Sequence, residues 1–305
     1  MATIYEKAFL AKLETTKGTD SVPVAGSDGV RIEKGFAPTP AAEKIPYDPV
    51  KATMGALKSL TGRKTLAIEA PVLVRGSGVA GTAPEVSALL QACGLVETVS
   101  AGVSVTYNPT STAASLKSVS TYSYIDGVLM KGLGAVANAS FACTINQPIA
   151  ANFTVQAGFD TAPTTTAAVN PTFDTIQPIV MTSADVVSDG TTINVGSFTL
   201  DFGNEFGDHY TTGQNEYSVA NRKPTITISK DSVSTVADWN ALRDGTEFSI
   251  SATFGATAGN IMTLTASKAV PTSNSLAERN ERHTKEIVFE LLETSGDDQF
   301  SVVFS

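Results

Sequence analysis

Gly76-Ser77-Gly78-Val79-Ala80-Gly81 is a literal G-x-G-x-x-G, the spacing with which dinucleotide folds bring backbone amides against a pyrophosphate. That chemistry needs a helix beginning inside the motif, so that its N-terminus meets the phosphates. Here Thr82, Ala83 and Pro84 follow the last glycine, and Pro84 is placed to open a helix with Thr82 or Ala83 at its cap. The strand ahead should be an unbroken apolar run, because parallel strands are covered on both faces. Glu69, Pro71 and Arg75 interrupt it, and proline is not tolerated in a central strand. A nucleotide-dependent oxidoreductase using the Gly76–Gly81 loop is therefore the alternative reading. The favoured one is a flexible loop between a strand and a docked helix whose core face is Val86, Leu89, Leu90 and Cys93.

Other reactive constellations are incomplete. His209 and His283 are the only histidines, and neither has metal-ligand spacing. With no G-x-S-x-G elbow, a Ser-His-Asp triad has little to build on. Asp297-Asp298 reads as a turn former, and Trp239, on a short apolar helix, reads as core. Cys93 and Cys143 fall on an apolar helix side and in a strand, as buried free thiols in a reducing compartment. No catalytic residue, cofactor or metal ligand is assigned, and no enzyme activity is expected.

The whole chain agrees with that. Its 305 residues carry a formal charge of −9, only 17% charged side chains and 42% hydrophobic ones. Ser, Thr, Ala, Gly and Val fill the remainder, a mix suited to pleated strands. Net acidity argues against a nucleic-acid-binding surface, which needs clustered Lys and Arg. The densest cationic patch, Arg279, Arg282, His283 and Lys285, is interleaved with Glu278, Glu281 and Glu286, as in a solvated loop. No apolar run is long enough to span a bilayer. The first residues, MATIYEKAFLAKLE, lack a signal-peptide pattern, so cytoplasmic synthesis without secretion is expected.

Tyr5, Phe9 and Leu13 fall at i, i+4 and i+8, as an amphipathic turn or an extended arm. The stretch 35–64 holds Pro38, Pro40, Pro46 and Pro49 and reads as a long loop that makes contacts of its own. After the strand–loop–helix unit, strands dominate. Leu116–Ile125 precedes an Asp126-Gly127 hairpin turn. Phe141, Cys143 and Ile145 alternate with small residues, as do Phe153, Val155 and Ala157. Residues 161–178 look like a linker. Beyond it, Ile193 and Val195 have the opposite parity to Phe198, Leu200 and Phe202, which predicts a bulge at Gly196-Ser197. Thr225–Ser229, a Trp239 helix, Phe248–Phe254 and Ile261–Ala266 follow. A loop over 270–285 then leads to a last hairpin that turns at Gly296-Asp297-Asp298. Each half runs strand, short helix, several strands, so the expected organisation is a first domain over 1–160, a linker over 161–178 and a second domain over 179–305.

Three stretches, AKLETTKGTDSVP (11–23), GSGVAGTAPEVSALLQACGLVE (76–97) with VTYNP (105–109), and YIDGVLMKGLGAVANASF (124–141), resemble the major tail tube proteins of long, non-contractile-tailed bacteriophages. LDFGNEF, NRKPTITI and DDQFSVVF are weaker echoes. The resemblance implies a mainly β protomer, a tail-tube β-sandwich or barrel with short packed helices, here as two tandem tube-like domains. Each such domain gives four strands to a barrel around a lumen, and rings stack through long loops and arms. Partners implied are other copies, as a trimeric pseudo-sixfold or a hexameric ring, with tape measure and tail-end proteins. DNA would pass without specific binding, in a virion tail assembled in the host cytoplasm. An acidic or neutral bore would let it slide, with Lys117 and Lys131 away from the bore. Expected contact residues are Tyr5, Phe9, Leu13, Pro46, Tyr47, Gly76, Gly78, Gly81, Arg279 and Arg282, drawn from segments expected to be mobile before assembly. A β-rich surface-binding module is a third reading, disfavoured by the few cysteines and the sparse aromatic display.

Overall fold

Strands of alternating apolar and Ser/Thr side chains build most of the chain; the computed structural model describes residues 7–47, 49–167, 169–182, 185–231, 235–279 and 282–305 and is mainly β. The first half contains β1 (Lys7–Leu13), β2 (Gly29–Val30), β3 (Ala37–Ile45), β4 (Leu60–Leu73), α1 (Ser87–Ala92), β5 (Leu95–Ser100), β6 (Ser104–Pro109), β7 (Val119–Ile125), β8 (Val128–Thr144), β9 (Ala150–Gly158) and β10 (Thr164–Thr165). The second contains β11 (Asp185–Ser188), β12 (Thr191–Thr192), β13 (Val195–Asp201), β14 (Asn204–Thr211), β15 (Gln214–Arg222), β16 (Thr225–Asp231), α2 (Val236–Asp244), β17 (Phe248–Thr257), β18 (Asn260–Arg279), β19 (Arg282–Leu291) and β20 (Ser301–Phe304).

Every pairing is antiparallel, and the main sheet runs β3-β4-β9-β8-β13-β16-β19-β18. The 20-residue β18 then turns into a second layer, in which its N-terminal half lies between β17, leading to β11 and β12, and β20, leading to β6 and β5. The start of β8 serves a smaller sheet with β7, β1 and β2. The layers meet through rings such as Phe198 on β13, 6.0 Å from Phe254 on β17, and Phe248 on β17, 6.0 Å from Phe289 on β19. One buried apolar cluster runs from Phe9 to Phe304, each large side chain in it worth about 1.5–3 kcal/mol of transfer free energy.

The bulge predicted at Gly196-Ser197 is present as a register shift between Val195 and Ser197. The Asp126-Gly127 turn has both residues left-handed, φ 51° and 74°, the pair that matches hairpin twist. Cys93 and Cys143 are buried free thiols, and burial pushes both up, Cys143 to about 12. Neither forms thiolate at neutral pH. Both should therefore stay inert to an aromatic disulfide reagent until the chain unfolds; prompt reaction in the folded state would reveal an opening of the core.

Several expectations need correcting. Of the two readings of the N-terminal segment the helical turn falls and the extended one holds: it is a strand from Lys7, paired with β7 and β2, in which Phe9 and Leu10 both bury their side chains. The stretch 35–64 is not a loop throughout: its two ends are strands, β3 pairing with β4 from Ala37↔Glu69 to Ile45↔Leu60, and the residues between them join the hairpin. Pro38 and Pro40 are tolerated there because β3 is an edge strand. Residues 270–285 are likewise the strands of the β18–β19 hairpin. The last segment makes no hairpin with β19; β20 inserts between β18 and β6, where Val302 and Phe304 are buried. Helix α1 starts at Ser87 rather than Pro84, although Val86, Leu89, Leu90 and Cys93 do face the core.

Trp239 is not core. Helix α2 buries no residue, and Trp239 is 42% exposed. A capping box between Thr235 and Asp238 starts this helix, and Asp238 ties it to the fully buried Lys285 and to Lys230. Burial opposes ionisation of Asp238, but hydrogen bonds from Lys285 and Thr235 and the Lys230 charge outweigh it, holding the carboxyl well below its usual range.

Candidate functional site

The glycine loop is spent inside the chain. Gly76 N–H donates to Asn260 Oδ1 (2.7 Å) and Gly78 N–H to the Gly259 carbonyl (2.9 Å). Asn260 Nδ2 in turn donates to the Gln177 carbonyl (3.1 Å). A Cβ on Gly81 would lie 2.3 Å from Gly102 N. Two of the amides that a phosphate would need are thus occupied, and α1 begins six residues beyond the motif. The expected flexible loop is instead a seam between distant segments, and Gly76 is buried in it.

The main sheet offers a different surface. Its core face carries residues such as Ile68, Val155, Phe141, Leu200, Ile226 and Phe289. Strand parity puts Glu69, Thr154, Asn138, Ser140, Asp201, Thr225 and Glu290 on the other face, joined in the next ranks by Thr199, Thr227, Ser229 and Glu286. Thr154 Oγ1 donates to Glu69 (3.1 Å) and Asn138 Nδ2 to Asp201 (3.1 Å), which knits the ranks together. None of these residues is cationic, and Glu69, Glu286 and Glu290 are exposed. The face is polar and acidic.

One end of it is roofed by the β14–β15 ribbon, which forms a separate two-stranded sheet. Gly134 and Gly158 let the ribbon approach: a Cβ on Gly158 would lie 2.2 Å from the Asn215 carbonyl. Arg63 of β4 fastens it, donating to Asp208 (2.6 Å), Asn215 (2.9 Å) and the Glu216 carbonyl (3.3 Å) beneath the rings of Tyr217 and Tyr210. The guanidinium is buried and multiply bonded, so Arg63→Ala should weaken ribbon docking by about 2–4 kcal/mol. Amide hydrogen exchange should then accelerate by more than tenfold over 204–222 and little elsewhere; unchanged protection would show that the ribbon docks without Arg63.

Both long edges of the main sheet are unpaired among the described residues. On one side lies β3, in which Pro38 opposes Ile68 and Pro40 opposes Leu66. Proline has no N–H, so the β3–β4 ladder is kept only if residues 38 and 40 face outward. On the other side lies β18 beyond Ala269, where β17 ends and β19 covers one flank alone. The β3–β4 hairpin also projects an apolar arm: Ile45, Tyr47, Val50, Met54, Leu57 and Leu60 are all exposed, Val50 and Met54 fully.

The expected contact residues divide accordingly. Pro46 and Tyr47 lie on the exposed arm. Tyr5 lies outside the described residues. Phe9 is fully buried, its ring 5.3 Å from Phe36, so it holds β1 in place, while Leu13 is half-buried and packs one side against the core. Gly76 and Gly81 are engaged within the chain, while Gly78, at φ 77°, is exposed beside Ile176. Arg279 and Arg282 oppose each other at the end of the β18–β19 hairpin. Lys131 bonds to Asp20 and Tyr122 at 3.0 and 2.7 Å. Sequence reasoning missed the apolar members of the arm beyond Tyr47, whose signal was a run of large apolar residues among prolines and lysines. The two histidines are apart, His209 in the ribbon bonded to Ser218 (2.9 Å) and His283 on β19.

A mainly β protomer with one sheet face on its core, the other polar, and open sheet edges belongs to the class of strand-built assembly proteins. The profile of the phage tail tube protein family matches residues 6–285, and the chain belongs to that family. Comparison with curated proteins finds no match. Family membership gives the chain a structural role in the virion tail and implies self-assembly into a tube.

Proposed function

We propose that copies of this chain join edge to edge into rings, that the rings stack into a tube, and that the bore conducts the phage genome during ejection. The observation that carries this reading is the eight-stranded main sheet, with its acidic outer face and two edges that are unpaired among the described residues. Free edges of such length invite pairing with another chain, and closing them into a ring removes them. The face bearing Glu69, Asp201, Glu286 and Glu290 then lines the bore. Duplex DNA carries a charge about every 1.7 Å. A wall of carboxylates repels it within about 8 Å at physiological salt, so the duplex slides without settling.

The proposal extends to ring size. Residues 1–160 supply β3, β4, β9 and β8, and residues 179–305 supply β13, β16, β19 and β18. Two tandem four-stranded units per chain make three chains a pseudo-sixfold ring; a hexamer is the other outcome that native mass spectrometry can return. The stretch 161–178 links the units along the sheet, touching β8 through β10. Neighbours in the tube should share contacts of obligate size, roughly 2,000 Å² or more. Tape measure and tail-end proteins are the further partners in this reading, with assembly in the host cytoplasm. Negative-stain microscopy of purified protein tests it directly: rings or tubes are expected, and a permanently monomeric chain would overturn it.

Within the tube, the β3–β4 arm bridges successive rings by burying Tyr47, Val50, Met54 and Leu57 against the next copy. Val50→Asp with Met54→Asp should leave the melting temperature of the monomer unchanged, since both side chains are already fully exposed. Tube formation followed by light scattering should fall at least about tenfold, the order expected when two buried apolar side chains are lost from a contact. Tubes that elongate at the original rate would remove the arm from the ring-to-ring interface.

A further inference from the structure

Arg75 sits at the end of β4's apolar run and is 7% exposed, yet its hydrogen bonding is poor. Nη1 reaches Glu85 at 3.4 Å, and Nε has no partner among the described residues. The same Glu85 is taken at 2.8 Å by Arg31, which also pairs with Asp174 and lies over the Phe173 ring. Two guanidinium groups therefore share one carboxylate, Arg31 on Oε2 and Arg75, at the longer distance, on Oε1. Burial and then the nearby Arg31 charge push the Arg75 pKa down. A buried guanidinium with donors to spare is costly unless something satisfies it.

Beside it opens a cavity of about 230 Å³ lined by Lys7, Arg31, Arg75, Glu33 and Phe173 among others. Its lining holds three cations and the Glu33 carboxylate; Glu85 and Asp174 stand beside it as the ion-pair partners of Arg31, and Lys7 Nζ donates to the Phe36 carbonyl at 3.1 Å. We propose that this cavity is an oxyanion-binding site, in which a carboxylate or phosphate takes the spare donors of Arg75 and is flanked by Arg31 and Lys7. Arginine's planar fork suits such groups, and the volume admits a phosphate or acetate with water. The oxyanion has two available sources: a free anion, or an Asp or Glu side chain of a second copy, in a chain with 30 acidic residues.

Titration of the full chain at low concentration with phosphate and with acetate, at constant ionic strength set by chloride, tests the site. Isothermal calorimetry should show saturable binding, and phosphorus NMR should show line broadening that chloride does not compete away. Arg75→Met should weaken binding by about tenfold to a hundredfold, the usual worth of charge-assisted bonds. Should that variant fail to fold, Lys7→Gln, which removes a half-buried cation at the cavity's edge, should weaken it by about threefold to tenfold. Binding to the dilute chain, with assembly insensitive to Arg75→Met, identifies a free anion as the source. Inhibition of wild-type assembly by phosphate, with slower assembly of Arg75→Met, identifies a carboxylate of the second copy. Either supports the site. Absence of binding in the wild type overturns the proposal.

Discussion

Gly76→Ala is expected to be among the most damaging small substitutions in the chain. A Cβ there would lie 2.0 Å from the Gly259 carbonyl oxygen and 2.9 Å from Asn260 Cα, both backbone atoms. Neither can retreat freely. Gly259 O accepts from Gly78 N–H, and Gly259 N–H is bonded to the Ser305 carbonyl (3.0 Å). A Cβ on Gly259 would itself lie 2.3 Å from Gly78 C, so the seam has no slack on either side. Forcing a methyl into it should cost about 3 kcal/mol or more, the upper range for overpacking. For a chain of this size that is a fall in melting temperature of roughly 5 °C. Gly55→Ala is the control, since nothing lies within 4 Å of its added Cβ. Equal melting temperatures for the two variants would mean that the loop does not dock against 259–260.

The second large effect concerns the bore. Glu69→Lys, Glu286→Lys and Glu290→Lys together raise the formal charge by six, from −9 to −3, all at exposed positions on the acidic face. Since none of the three is part of the core, folding and tube formation should survive. What changes is the wall's interaction with duplex. Each phosphate neutralised adds about 0.9 to the slope of log affinity against log salt, so retention should be strong near 50 mM salt and largely lost near 200 mM. Variant tubes loaded with linear duplex should protect it from nuclease at the lower salt, and wild-type tubes should not. Equal protection by both would place this face on the outside of the tube.

Much of the fold was legible because the signals were local. Phe198, Leu200 and Phe202 against Ile193 and Val195 gave the parity switch, and the register shift lies beside it. Asp126-Gly127 marked its turn, and Val86, Leu89, Leu90 and Cys93 marked the buried side of α1. Elsewhere alternation was silent for physical reasons. The residues of β18 from Ser273 to Glu278 face solvent on both sides apart from a half-buried Asn274, so no face selects apolar side chains. β3 is exposed along its length except at Pro38, for the same reason. The position of β20 between β18 and β6 depends on partners far away in sequence, which adjacency along the chain cannot reveal. The docking of Gly76 and Gly78 on Gly259-Asn260 is likewise a meeting of two backbones, and glycine carries the same letter whether its missing side chain admits a phosphate or another strand. Trp239 misled because an apolar side chain on a helix reads as core, while α2 is anchored by the Asp238 carboxylate.

The prolines of β3 carry a consequence for the symmetry of association. With residues 38 and 40 turned outward, this edge keeps its carbonyl acceptors but lacks two of the amide donors an edge strand would offer. Two such edges cannot satisfy one another, so an isologous dimer through β3 is disfavoured. The free flank of β18 from Thr272 to Arg279 contains no proline and keeps its amides. A donor-poor edge and a donor-bearing edge at opposite ends of one sheet favour head-to-tail addition over pairing of like edges, and a head-to-tail contact repeated at a constant rotation closes as a cycle where that rotation divides the full turn and otherwise runs on as a filament.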